Sequence, residues 1–488
     1  MQWHEVVALV FLLLEYSLKL IAIGVVPENR QPSSSQAWLL LILMVPLVGF
    51  PLYFMIGSPY IHGRRRRVQE EVTRVISAHT EDLPRVPDGV EPGKSVRSVI
   101  AMNHRLTGLP CATGINEALY DSAEEFFAAI AREVDAAENY VHVEFYIAAW
   151  DETTDVLFAA LARARKRGVR VRLLMDHLGS RSYPGWRQFK RRLTDDGIEW
   201  HLMLPLFPLR GRWRRPDLRN HRKLVVVDGR VGFLGSHNLI DPAYGSAKNA
   251  RMGRRWLDLS LRISGQVIGQ LEAVFATDWY IETGELPEVT LPEQAKTLEV
   301  IPGGPVNAMQ IVTSGPGYPQ EPNRQQFVQL MHLACQKLTV TSPYFVPDES
   351  LLTAMTGAAY RGVKVELFVG EESDQFIVGH AQRSYYRALL EAGVHIYLYP
   401  APTVLHSKYF TIDDDVAVIG SSNMDYRSFA LDYEVMLMGF GGDLVAALQR
   451  NDADYRAVSR ELSLEEWSKQ PGWKRWIDNV CRLTSAVM

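Results

Sequence analysis

The chain says the same thing twice. "NHRKLVVVDG" at residues 220–229 returns as "LHSKYFTIDD" at 405–414. In both, a His is followed two places on by a Lys, seven by an Asp, fourteen by a Gly and seventeen by an Asn. The pattern H-x-K-x4-D-x6-G-x2-N thus starts at His221 and again at His406, 185 residues later. The flanks repeat too: "LARARKRGVRVRLLMD" matches "MTGAAYRGVKVELFVG", and "LTDDGIEWHLM" matches "LLEAGVHIYLY". Helical patterns alternating with β-rich runs predict an α/β fold, with helices flanking mixed sheets. Self-similarity on this scale is a domain duplication, not a solenoid. The halves are placed at 113–290 and 300–488, with the junction near Glu288–Gly304.

Each repeated stretch reads as a β-hairpin. In the first, an Asp-Gly turn at 228–229 joins two strands. His221 and Lys223 are two apart and share a face, as do His406 and Lys408. Folding at the turn brings Ser236 opposite His221 with Asn238 just beyond. It likewise returns Ser421, Ser422 and Asn423 towards His406 and Lys408. The result is a half-site for phosphate. Lys supplies charge, Asn238, Asn423, Ser236 and Ser422 supply donors, and His can attack or shuttle a proton. Asp228 and Asp413 lie at an odd offset, and turn geometry is the favoured account of them. Farther on, Asp258 and Glu434 are the better carboxylates to fix each His tautomer.

Ahead of the halves the chain changes character. Val6–Val26 is apolar apart from residues such as Glu15 and Lys19, which are placed to pair. Ala37–Ile56 carries no charge, but Pro46 and Pro51 are set to kink it. About 20 apolar residues cross a bilayer as a helix, so residues 1–57 are expected to form a hairpin of two transmembrane helices. The second run is the stronger candidate. A cleaved leader is the weaker reading, since no basic segment precedes the first run and no small-x-small site follows it. Arg64–Arg67, in a linker over 58–112, predicts that both ends of the hairpin and everything after it lie in the cytoplasm. The first half also carries about eleven extra residues before its motif. They hold Arg210, Arg212, Arg214, Arg215 and Arg219 beside Phe207 and Trp213, readable as a solvated loop or as a contact with anionic lipid.

The remaining composition mainly excludes. A net charge of −4 and a pI near 6.4 argue against a nucleic-acid binder. Cys111, Cys335 and Cys481 form neither a metal-spaced cluster nor a disulfide framework, which suits a reducing compartment. Glu144 and Tyr344 end matching strands, where packing and a pocket edge are equally good readings. Trp473 and Trp476 are three apart near the carboxyl end, a spacing that fits a packed core or a lipid-interface anchor.

Two matched motifs in duplicated halves are the pattern of the phospholipase D superfamily. With the apolar runs, "SPYFVPD", "GSSNMDYRSF" and the Trp/Arg-rich "WKRWIDNVCRL", nearly the whole chain resembles its bacterial cardiolipin synthases. The resemblance implies one pseudo-two-fold catalytic unit at the interface of the halves. His221, Lys223, Asp228, His406, Lys408 and Asp413 would form its catalytic motifs, with no metal and no cofactor. One His attacks phosphorus while the other protonates the leaving alcohol. As in related enzymes, His221 is assigned as nucleophile and His406 as general acid, although the residues alone leave the reverse open. Phosphatidylglycerol and anionic membrane lipids are the implied partners, nucleic acid is not, and an oligomer is compatible. The implied location is the bacterial cytoplasmic membrane, as a multi-pass protein with its catalytic part inside. Two positions depart from the family: "GSHN" lacks a second Gly, and position 432 is Asp where Asn is common. Neither removes a reacting group, and both bear on acceptor preference. The alternatives are a phospholipase D or transphosphatidylase using water or another alcohol, a superfamily nuclease, and a non-catalytic scaffold.

Overall fold

The computed structural model describes residues 3–28, 32–57, 67–72, 74, 85–206, 215–287, 300, 303–318 and 320–485. Within them, one sixteen-stranded sheet runs through both halves rather than one sheet serving each. From one edge the strands are Glu199–Met203, Arg170–Asp176, Tyr140–Phe145, Lys223–Val227, Val231–Gly235, Ser260–Ser264 and Ala112–Tyr120. The second half repeats that order in reverse: Val306–Ser314, Asp432–Phe440, Val416–Gly420, Tyr409–Ile412, Lys337–Thr341, Lys364–Gly370 and His395–Tyr399, with Arg460–Leu462 added at the edge and the sixteenth strand, Arg219–Asn220, pairing Asp432–Phe440 off this path. Ala112–Tyr120 and Val306–Ser314 meet antiparallel at the centre. A mirrored strand order about an antiparallel junction is a pseudo-two-fold. The sheet is mixed, with parallel outer strands and antiparallel inner hairpins.

Helices cover both faces, and the strands are apolar on both sides for that reason. Along Lys223–Val227, Leu224 and Val226 enter a central core, while Val225 and Val227 face the helices Ala123–Asp135 and Asp155–Lys166. That central core mixes the halves: Leu261 and Ile263 from one pack with Leu437 and Ile419 from the other. Burying apolar surface across the junction, at roughly 25 cal/mol per Å², makes the pair a single body. Lys94–Thr107, inside the presumed linker, is a helix that bonds to the second half, where Asn103 Nδ2 donates to Gln310 Oε1 at 3.1 Å. The expected junction falls mostly outside the described residues.

The amino-terminal expectation is met in part. Trp3–Val25 is an unbroken 23-residue helix, and among the described residues it is the one helix long and apolar enough to cross a membrane. The run expected to be stronger is broken into Pro32–Met44, Pro46–Leu52 and a π-turn at Tyr53–Gly57. Pro46 begins a new helix because its ring cannot continue the preceding one. The pieces fold against each other around Ala22, Trp38, Ile42 and Tyr53. Gly49 permits this, since a Cβ there would lie 2.8 Å from Ile42 Cα. Lys19 Nζ pairs with Glu15 at 2.6 Å. Arg64–Arg66 lie outside the described residues.

Candidate active site

The two His residues sit where the chain enters each hairpin, and each is gripped by the opposite half. Arg219–Asn220 lies parallel to Asp432–Tyr433, and Val404–Leu405 lies parallel to Trp256–Leu257. The His221 N–H donates to Tyr433 O and the His406 N–H to Leu257 O, both at 2.8 Å. One residue beyond each acceptor stands a carboxylate. His221 Nδ1 meets Glu434 at 2.9 and 3.1 Å, and His406 Nδ1 meets Asp258 at 2.6 Å. The carboxylates are those expected, but the pairing is crossed: each orients the imidazole of the other half. With Nδ1 engaged, Nε2 is the ring nitrogen that remains on each His.

The lysines complete the symmetry. Lys223 Nζ donates to His221 O and Lys408 Nζ to His406 O, each at 2.6 Å. All six groups are buried. Burial, with the charge of Lys408 beside it, pulls Lys223 down to about 7, and burial pulls Lys408 to about 8, in both cases against the pull of Glu434 and Asp258. Lys408 is among the charges that lower Lys223 and His221, and Lys223 among those that lower His406, so the half-sites share one field. Burial also lowers both imidazoles, His221 to about 4. Although burial opposes it, Glu434 and Asp258 are held below the usual carboxylate range by His221 and His406. The resting site therefore holds a neutral His221 ring on an ionised Glu434.

Other expected donors divide. Asn238 lies at the site edge, with Nδ2 on Tyr244 OH at 2.8 Å, and Tyr244 is 6.5 Å from the His406 ring. Asn423 is buried, and its Oδ1 accepts no hydrogen bond. Ser236 and Ser422 do not serve as expected, because their hydroxyls donate to Leu259 O at 3.3 Å and Asn423 O at 3.2 Å. The hairpin register is also one residue off the simple fold, since Leu224 faces Leu234. Ser421 rather than Ser422 matches Ser236: each accepts a backbone N–H from the neighbouring strand at 2.9 Å. Gly235 and Gly420 lie against that same strand, where a Cβ would strike the backbone of Ser260 or Val435.

Asp228 and Asp413 do not reach the site. They stand at the far end of their strands, roughly 20 Å from the His at about 3.3 Å per residue. Asp228 accepts from the N–H groups of Glu138, Asn139 and Tyr140 at 2.8–2.9 Å, and Asp413 accepts from Gln336 and Lys337 at 2.7 Å. Glu144 is wholly buried in its strand rather than at a pocket edge. The residue that matches Tyr344 is Tyr146: the Tyr146 ring lies 5.1 Å from that of His221, and the Tyr344 ring 6.3 Å from that of His406. Arg219, read as part of a lipid-facing loop, is instead buried on Asp176 at 3.2 Å. Phe207, Arg210, Arg212, Trp213 and Arg214 lie outside the described residues. Sequence reading missed Arg222, which bonds Asp278 of one half and Glu434 O of the other. It also missed the ion pair of Arg427 with Asp432 at 3.3 Å. Burial pushes Asp432 up to about 8 despite Arg427, with Glu434 adding to the rise. The departing His237 stacks on Phe126 at 4.8 Å and bonds Ser260 Oγ at 2.8 Å.

Two imidazole–lysine half-sites on a duplicated sheet, each completed by a carboxylate of the other half, suit an enzyme that moves a phosphoryl-centred group, and known proteins agree. The family described as "Cardiolipin synthase, PLD-like domain" matches residues 130–279 and 327–451, and "Phospholipase_D-nuclease N-terminal" matches 6–58. A cardiolipin synthase of Geobacillus kaustophilus is 33% identical, covering 99% of this chain and 95% of its own length. Cardiolipin synthase A of Proteus mirabilis is 31% identical, covering 95% of each. The crystal structure of a phosphatidylserine synthase from Haemophilus influenzae superposes with a TM-score of 0.60 at 16% identity, over 81% of this chain and 100% of its own, a likeness of fold. The chain is a phosphatidyltransferase. It belongs to the cardiolipin synthase family of phospholipase D-like proteins, and it is membrane-associated.

Proposed function

We propose that the chain joins two molecules of phosphatidylglycerol into cardiolipin and glycerol through a phosphatidyl-histidine. The observation that carries this reading is the crossed pairing, His221 on Glu434 and His406 on Asp258. It leaves two Nε2 atoms for one phosphorus. His221 Nε2 attacks, the bond from phosphorus to the glycerol oxygen breaks, and His406 Nε2–H gives its proton to that oxygen. The hydroxyl of a second phosphatidylglycerol then loses its proton to His406. Its oxygen displaces His221 and restores both rings. Lys223 and Lys408, with Asn238 and Asn423, hold the phosphoryl oxygens. The environment supports this division of roles. Asp258 lends its charge to His406 at 2.6 Å, whereas Glu434 divides its charge between His221 and the Ser421 hydroxyl at 2.5 Å. His406 is thus the better proton carrier and His221 the better neutral nucleophile.

In the same reading, residues 113–290 and 300–488 are the halves. Asp228 and Asp413 are structural caps, and residues 1–57 pass through the bilayer twice, leaving the catalytic part in the cytoplasm. The test is purified chain in vesicles whose only phospholipid is phosphatidylglycerol. Cardiolipin and glycerol are expected in equal amounts. Phosphatidic acid with glycerol and no cardiolipin would make water the acceptor and overturn the proposal.

A further inference from the structure

Trp473 and Trp476, which their spacing allowed to be core, are exposed. Along the helix Gly472–Arg482 and its C-terminal cap Leu483, residues 473, 476, 480 and 483 fall at intervals of three, four and three, which is one stripe. Trp473 is 62% exposed, Trp476 66% and Leu483 74%, and Val480 is also exposed. The inward face of this helix is different: Cys481 is buried, and the buried Asp478 binds His380 Nδ1 at 2.6 Å. Asp478 is the helix's single acid, so its outward charges, Lys474, Arg475 and Arg482, are all basic. The partner helix Phe376–Arg383 adds Phe376, 69% exposed, and Ile377. Large exposed aromatics with an all-basic fringe are the composition of a helix lying in a bilayer interface.

The position of this stripe in the fold selects the bilayer over other occupants. Phe376 is two residues from Asp374, whose carboxylate accepts from Tyr344 OH at 2.9 Å, and Tyr344 faces the His406 ring. The membrane-entering segment docks on the other half-site. Arg215 Nη2 donates to Ile56 O at 2.6 Å, and the same loop is tied through Asp217 O to Arg427 at 3.0 Å. Arg427 pairs with Asp432, two residues from Glu434. The hairpin thus reaches the His221 side of the site, and the aromatic stripe flanks the His406 side.

We propose that Phe376, Ile377, Trp473, Trp476, Val480 and Leu483 form a second membrane contact, which seats the His406 side of the site at an anionic phospholipid surface. This rests on the reading that the substrate is a bilayer lipid, and its test is separable from that reading. In the full chain with Cys335→Ser, Phe376→Cys and Trp476→Cys are labelled with an environment-sensitive dye, and Tyr360→Cys serves as control. Tyr360 is 73% exposed and precedes the strand Lys364–Gly370, at the end away from Asp374. The vesicles contain equal parts phosphatidylglycerol and phosphatidylcholine, with acyl-chain quenchers. Quenching at 376 and 476 but not at 360 is expected. Labels at 376 and 476 that stay as unquenched as 360 overturn the proposal. So does a dye shift that follows protein concentration without lipid quenching, because a second copy would then cover the stripe.

A Phe376→Ser/Trp473→Ser/Trp476→Ser chain should lose transfer on vesicles by roughly tenfold or more, given the apolar area removed. It should keep its rate on monomeric short-chain phosphatidylglycerol. Equal loss on both substrates contradicts the proposal. If the unaltered chain makes no cardiolipin from either substrate while the labels still report depth, the function reading fails and the contact stands.

Discussion

At the scale of single residues, the site is a set of proton and charge assignments made by burial. A lysine pulled down to about 7 is an ammonium whose charge is easily lost, and Lys408 at about 8 is little safer. Both must be charged to receive a phosphodiester, so kcat/KM should fall as pH rises through these values. It should fall again as pH drops towards about 4, where His221 gains a proton and ceases to be a nucleophile. The measurement is kcat/KM against pH on short-chain substrate. A profile flat from about pH 6 to 9 contradicts the assignment. Asp432 belongs to the same scale. Burial raises its carboxyl although Arg427 pairs with it, so its proton is held more tightly than an exposed Asp would hold one.

At the scale of elements, the motif Asp shows what a spacing pattern does and does not say. Asp228 has φ +52° and the next residue, Gly229, +63°, as an Asp-Gly hairpin turn of the primed type requires. Its carboxylate collects three N–H groups from the start of the strand Tyr140–Phe145, locking the preceding helix–strand corner to the hairpin. Asp228→Ala should therefore cost about 2–3 kcal/mol and lower the melting temperature by several degrees, with kcat per folded molecule unchanged. An unaltered melting curve with lost kcat would place Asp228 in the chemistry instead. The hairpins, their turns and the shared face of His and Lys were legible because strand period and turn chemistry are local. The serines were misplaced because register depends on Gly235 and Gly420 lying against the neighbouring strand, and the sequence does not reveal that strand's position.

At the scale of the whole molecule, duplication was plain in the repeated motifs, and so was the need for two imidazoles. The crossing was not. Asp258 and Glu434 follow their own motifs by similar distances, which invites pairing within a half. The exchange becomes visible only when the central strands of both halves join one sheet and Tyr433 and Leu257 meet the opposite His. Arg222 stayed hidden for the same reason, since its partners come from both halves. The claim that two halves share one phosphorus is tested most directly by trapping the intermediate. The His406→Ala chain is given a phosphatidyl ester of nitrophenol, a leaving group that needs no acid, and the protein is mapped by mass. The account predicts a burst of one nitrophenol per chain with the phosphatidyl group on His221, and no burst in His221→Ala. No burst from His406→Ala, or an adduct on any other residue, contradicts it.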